Sequence, residues 1–107
     1  MSGIKIALCM APDRDTADDI GTHLVEEGIA ACVNLIPGVT SIYRWEGATE
    51  ESTEVLVLIK LAADQVAAAQ AWIAAQHPYD VPEFIVLDVE SGLTAYLEWV
   101  RRREIRV

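Results

Sequence analysis

Residues 29–63 decide the fold, and they read IAACVNLIPGVTSIYRWEGATEESTEVLVLIKLAA. Two apolar runs, rich in β-branched and aromatic residues, flank a short polar turn at Gly47. This arrangement is typical of a β-hairpin. At about 3.3 Å per residue, a straight strand over residues 30–46 would measure roughly 55 Å, whereas a compact domain of this size spans only roughly 35 Å. The sequence therefore predicts a central hairpin that is longer than the body carrying it.

A bend is predicted at Pro37-Gly38, because proline cannot donate to a strand ladder and glycine tolerates unusual backbone angles. Beyond this bend the first strand stays apolar, with Val39, Ile42, Tyr43 and Trp45. An uncovered apolar strand is an aggregation hazard. We therefore expect this part of the hairpin to dock on another copy of the chain. The alternative is that it folds back on its own body.

The rest of the chain shows strand and helix patterns in alternation. In order, it predicts a strand over residues 4–10, a helix from the acidic stretch at 13–19 to Gly28, the hairpin, a helix from an N-cap at Asp64 to His77, a strand over residues 84–89 and a helix over residues 93–103. His23 falls on the polar face of the first helix, where a solvated side chain is expected. This β-α-β-β-α-β order with an extra C-terminal helix predicts one α+β domain over residues 1–107, a ferredoxin-like sandwich with a long central hairpin.

Composition narrows the possible partners. Residues 1–100 hold four Lys or Arg against sixteen Asp or Glu, a net charge of −12, and this acidity disfavours nucleic-acid binding. The arginines near the end are better explained as charges at a helix C-terminus. Two cysteines do not make a disulfide framework, and neither a signal peptide nor a run of membrane-spanning length is evident. We expect a cytoplasmic protein without a membrane partner.

Several motifs occur together along the chain: ACVN at 31–34, IPGVTSIY at 36–43, WEG at 45–47, HPY at 77–79, VPE at 81–83, Cys9, and Tyr96-Leu97-x-Trp99. In these motifs the sequence resembles the CutA family of divalent-cation tolerance proteins. The resemblance implies a homotrimer of ferredoxin-like subunits, similar in architecture to PII signalling proteins. It also implies that the hairpins reach across subunit boundaries, in agreement with the predicted length of the hairpin.

The resemblance further implies a metal site made by Cys9 and His77, for copper or another divalent metal. No organic cofactor is evident from the sequence. Gln76 stands where some members of the family carry a second histidine. Thiolate and imidazole are ligands that suit Cu(I). The alternatives are that Cys9 is a small buried residue and that His77 caps the end of a helix. A Cys-His catalytic pair lacks a third group to orient it, so a non-enzymatic protein is expected.

A third possible site lies in the predicted cleft between subunits. Its candidate residues are aromatic or polar-tipped, as the walls of small-molecule sites are, and comprise Asn34, Tyr43, Trp45, Lys60, Tyr79, Glu83, Tyr96 and Trp99. The competing interpretation is that they fill the trimer interface, where aromatic residues are enriched. The favoured function is thus a trimeric metal-response protein. The alternative is a PII-like sensor that binds a small molecule between subunits.

Overall fold

The computed structural model of the chain describes residues 2–102. Its elements are β1 (Ile4–Ala11), α1 (Arg14–Glu26), β2 (Cys32–Trp45), β3 (Ala48–Ala62), a 3₁₀ turn (Ala63–Gln65), α2 (Val66–Gln76), β4 (Ile85–Asp88) and α3 (Thr94–Arg102). The predicted α+β order with a terminal helix is confirmed. Arg103, the last residue of the predicted helix, lies outside the described residues. Within residues 2–102, no helix has the length and apolarity needed to cross a bilayer.

The four strands form one sheet in the order β2-β3-β1-β4, and every neighbouring pair is antiparallel. Alternate residues of β1 point to one face, where Ala7, Cys9 and Ala11 are fully buried. Helices α1 and α2 cover this face and contribute the rest of the main core: Ala17, Ile20 and Leu24 from α1, and Ala69 and Ile73 from α2. On α1 the apolar residues recur at helical spacing and form one stripe, whereas α2 is rich in alanine on all sides and buries Ala69 and Ile73.

Helix α3 packs on the opposite face of the sheet and covers only one end of it. Its Val100 is fully buried against Ile4, Ala31 and Ala62. The remainder of this face, which we call the open sheet face, is covered by no helix of residues 2–102. It consists of half-buried residues on the central strands and exposed residues on β4, namely Ile6, Leu8, Leu56, Leu58, Ile85 and Leu87.

The predicted long hairpin is present, with 14 residues in β2 and 15 in β3, although β2 is shorter than the predicted strand over residues 30–46. Glu46 and Gly47 form its turn with φ of 49° and 82°, and positive φ at both positions is what a two-residue type I′ turn requires. The predicted bend is a β-bulge between Ile36 and Val39, where Gly38 has a φ of 74°. We call residues 39–54, beyond this bulge, the arm. The molecule measures 46 × 26 × 24 Å, so one dimension greatly exceeds the other two.

Two local predictions are wrong. Asp64 is not the N-cap of α2, because the chain first makes a 3₁₀ turn and the helix begins at Val66 after Gln65. His23 is not a solvated residue, since its half-buried ring stacks on that of Trp72 with 4.2 Å between ring centroids and 12° between planes. The two helices lie side by side on the sheet, and this contact joins them.

Candidate functional site

The end of β1 and the end of α2 meet at a single backbone oxygen, that of Met10. Helix α2 stops at Gln76 because the residue before Pro78 is driven to extended geometry, and His77 has φ −69° and ψ 141°. The His77 side chain, only 8% exposed, then turns inward, and its Nε2 lies 2.7 Å from Met10 O. A carbonyl oxygen can only accept, so Nε2 carries the proton. The other ring nitrogen, Nδ1, accepts from the backbone N–H of Tyr79 at 3.1 Å.

Cys9 contacts the same carbonyl from within the core. Its side chain is fully buried, and Sγ donates weakly to Met10 O at 3.8 Å. Burial, reinforced by the negative charge of Glu83, raises the pKa of the Cys9 thiol to about 12. The thiol is therefore protonated near neutral pH. The structure brings Cys9 and His77 to one place, as the resemblance implies, but with both groups already engaged.

These two residues do not fit a preformed metal site in this conformation. Ligation requires a thiolate and a free imidazole lone pair, whereas the Cys9 thiol is protonated and the lone pair of His77 Nδ1 accepts from Tyr79. In the part of the chain that the structure describes, no three His, Cys, Asp or Glu side chains are grouped so that they could hold a metal. Metal ligation by Cys9 and His77 stays a prediction that these hydrogen bonds disfavour.

Tyr79 and Glu83 belong to the loop that follows His77. The Tyr79 hydroxyl donates to Glu54 Oε2 at 2.7 Å, and the His77 and Tyr79 rings lie 4.7 Å apart. Burial, together with the bond to Glu54, raises the pKa of the Tyr79 hydroxyl. Glu83 acts on Cys9 only through its charge. This part of the predicted cleft therefore surrounds the end of β1 and reaches the base of the arm.

A second group of predicted cleft residues lies on the side of the sheet that carries α3. Lys60 Nζ lies 5.7 Å from the centroid of the Tyr96 ring, and this ring contacts Trp99 with 5.4 Å between centroids. Asn34 is exposed on β2 and pairs with Leu58, two residues before Lys60 along β3. These side chains form a cationic and aromatic surface. Among residues 2–102, no carboxylate lies within ion-pair distance of Lys60.

The remaining two residues of the predicted cleft, Tyr43 and Trp45, lie near the tip of the arm and are exposed. The eight candidates thus fall into three groups, at the loop, beside α3 and on the arm. One protomer does not bring them into a single cleft. A cleft made by several subunits stays a prediction.

The family is decided by the match along the whole length of this fold. Residues 5–103 match the family model described as CutA1 divalent ion tolerance protein. The chain belongs to the CutA1 family. The solved structure of CutA from the bacterium Xylella fastidiosa is 40% identical, with a TM-score of 0.92, and the alignment covers 94% of this chain and 97% of that one.

Two further relatives are similar to this chain over most of its length. Protein CutA of Homo sapiens is 44% identical over 99 residues, which make up 92% of this chain but 55% of that protein, so the chain spans about half of its length. A solved structure from Archaeoglobus fulgidus, described as a periplasmic divalent cation tolerance protein CutA, is 30% identical with a TM-score of 0.90 over 94% of this chain and 97% of that one. The family model and the Archaeoglobus fulgidus structure are both described by tolerance of divalent ions.

Three features of this CutA1 chain were not found by reading the sequence. The first is the Met10 backbone oxygen, since a main-chain acceptor leaves no signal in residue types. The second is Glu54, which residue type does not distinguish from the three other glutamates of residues 46–54. The third is a groove of about 310 Å³ between α1 and β2, lined by Asp18, Gly21, Thr22, Val25, Glu26, Val33 and Leu35. A glycine inside a helix was its available signal, because a Cβ on Gly21 would lie 3.2 Å from a Val33 methyl.

Proposed function

We propose that this protein is a homotrimeric, non-enzymatic divalent-cation response protein. The observation that carries the proposal is the apolar surface that one protomer leaves uncovered. On the arm, Ile42 is 66% and Trp45 61% exposed, and on the open sheet face Ile85 and Leu87 are each 50% exposed. Surfaces of this kind on a small chain mark an interface with another protein.

The two uncovered surfaces differ from each other, and this difference favours a ring. The arm is a thin projection, whereas the open sheet face is a broad apolar area on the body. A contact between unlike surfaces is heterologous, and repetition of such a contact closes into a ring when the rotation allows it. The resemblance to trimeric, PII-like architectures supports closure at three subunits. Each copy then lends its arm to one neighbour and receives an arm from the other.

Light scattering coupled to gel filtration tests the assembly directly. The 11.7 kDa chain should elute with three times its mass at micromolar concentration. A stable monomer at this concentration would contradict the proposal, because the exposed apolar surface would then have no partner.

Copper or another divalent metal is the proposed ligand of the assembly. Its support is the family description and the acidic body, which concentrates cations near the surface. Copper titration of the wild type, Cys9→Ser and His77→Ala locates the ion. A matched loss in both variants supports a shared site that opens when the metal arrives. Unchanged binding in both variants assigns Cys9 to the core and His77 to its bonds with Met10 and Tyr79.

The PII-like alternative has one specific observation in its favour. In a chain with a large excess of acids, Lys60 has no carboxylate partner within residues 2–102 and lies over the Tyr96 ring. A cation on an aromatic surface suits an anionic small molecule. A thermal-shift screen of organic anions against the wild type, Lys60→Met and Cys9→Ser tests it. Stabilisation that needs Lys60 but not Cys9 favours the sensor, and no stabilisation by any anion contradicts it.

We also propose a reducing, cytoplasmic location. Both cysteines are free, and they lie on opposite faces of the sheet, with Cys9 paired to Val57 and Cys32 to Lys60. They cannot bond to each other without refolding, and unbonded thiols are typical of reducing compartments. Cell fractionation with an antibody against the protein checks this. Recovery in an oxidising compartment would contradict it.

A further inference from the structure

A continuous series of hydrogen bonds runs from the end of β1 to the arm. His77 Nε2 donates to Met10 O at the end of β1, and His77 Nδ1 accepts from Tyr79 N. The Tyr79 hydroxyl in turn donates to Glu54 Oε2 at 2.7 Å. The bond to Met10 holds His77, and the bond to His77 in turn holds Tyr79. The loop after α2 is therefore fastened at one end to the body and at the other end to the hairpin.

Glu54 lies directly beyond the bulge, so the series of hydrogen bonds ends at the base of the arm. Glu54 pairs with Val39, and these two residues form the first pair of the arm beyond the bulge at Pro37-Gly38. A bulge interrupts the ladder and increases the local twist, so backbone pairing alone holds the arm direction weakly at this point. Tyr79 supplies a bond from outside the hairpin at the place where the ladder is interrupted.

We propose that Tyr79 and Glu54 are positioning residues that set the angle of the arm relative to the sheet, with His77 holding the loop that presents Tyr79. The bond joins a hydroxyl to a carboxylate, and hydrogen bonds to charged groups are stronger than those between neutral groups. Within the described chain, no Lys or Arg lies at ion-pair distance from Glu54 to compete for it. The inference concerns a single protomer and goes beyond the proposed function. Only its consequence, that the arm meets its neighbour at the correct angle, rests on the trimer.

Amide hydrogen exchange on the full chain tests the proposal. Tyr79→Phe removes only the hydroxyl, and loss of one such bond should speed exchange in the arm by about five- to tenfold while the β1 amides keep their protection. Tyr43→Phe is the control for loss of a hydroxyl on the arm, because Tyr79 and not Tyr43 donates to Glu54, and Tyr43 acts on Tyr79 only electrostatically. Equal arm exchange in the two variants would overturn the proposal.

Variants of Glu54 test whether one bond is responsible. Glu54→Gln keeps an acceptor oxygen and should restore most of the protection that Glu54→Leu loses. Tyr79→Phe combined with Glu54→Leu should exchange no faster than either single variant. Additive effects of the two substitutions would overturn the proposal that they share one bond. Light scattering on the same samples keeps the two proposals apart, because a monomeric wild type refutes the trimer and leaves the exchange comparison intact.

Discussion

Large apolar side chains occur both in the arm and in the lower half of the hairpin, residues 32–36 and 55–62, but they are buried to very different extents. In the lower half, Val57, Ile59 and Leu61 are fully buried, whereas in the arm Ile42 and Trp45 are mostly exposed. The difference is coverage. The 13 residues of α1 reach roughly 20 Å at about 1.5 Å each, whereas the 15 residues of β3 reach roughly 50 Å. Strand propensity extends the hairpin beyond the point at which the chain has a helix to cover it.

The largest expected effect comes from Trp45→Ala on the arm. If a neighbour packs this ring fully, its loss should cost the assembly about 3–5 kcal/mol per contact. The chain should then dissociate at concentrations at which the wild type stays assembled, as measured by light scattering over a dilution series. Arg44→Ala is the adjacent control and should leave the assembly mass unchanged. Equal dissociation by both variants would mean that the Trp45 ring is not the anchor.

A matched pair of isoleucines sharpens the comparison of the two halves. Ile59→Ala in the lower half should lower the free energy of unfolding by about 2–5 kcal/mol, because a fully buried side chain leaves a cavity. Within one protomer Ile42→Ala on the arm should cost clearly less, because its side chain is 66% exposed there, and any larger loss measures burial by a neighbouring copy. Urea unfolding at equal protein concentration measures both. Equal losses would show that a neighbour buries the arm as completely as the helices bury the body.

The turn at the tip should be more modestly sensitive. Gly47 has a φ of 82°, which an L side chain adopts with strain, so Gly47→Ala should lower the free energy of unfolding by about 1 kcal/mol. Gly92→Ala is the comparison for backbone strain, because Gly92 has no positive φ. A Cβ there would lie 3.2 Å from the Leu97 side chain, so any loss would come from packing. Thermal unfolding followed by circular dichroism checks both. No loss of stability in Gly47→Ala would contradict the type I′ geometry.

The smallest expected effect is binding of nucleic acid, which should not be detectable. The net charge of −12 over residues 1–100 repels phosphate along the body and the arm alike. Fluorescence anisotropy with labelled duplex DNA should detect no complex at physiological salt. A salt-sensitive micromolar complex would contradict this and would direct attention to Arg101 and Arg102 in the last turn of α3.

Local chemistry explains what could be predicted from the sequence. The hairpin, its bulge at Pro37-Gly38 and the end of α2 before Pro78 each depend on the conformational limits of one or two residues. The stacking of His23 on Trp72 could not be predicted, because it depends on how closely two helices lie. Asp64 is not the N-cap of α2, because residues 63–65 form a 3₁₀ turn and the helix begins only at Val66.

The candidate sites were also predictable only in part from the sequence. The sequence placed Cys9 and His77 together by resemblance, yet the acceptor that joins them is the Met10 backbone oxygen, which carries no residue signature. The cleft residues were grouped by type, and residue type does not say which side of a sheet or which end of a hairpin a side chain occupies. The face covered by α3 was likewise not predicted, because an amphipathic helix fits either side.

The length of the arm is adjustable because its pairs lie between the bulge at residues 37–38 and the turn. Pairs added there extend both strands equally, so the register of the lower half of the hairpin is unchanged. Two extra residues on each strand would lengthen the reach by about 7 Å and keep every side chain on its original face. One extra residue on each strand would exchange the faces of the residues beyond the insertion. The reach of the arm can therefore be tuned by inserting residues in steps of two without redesigning the core.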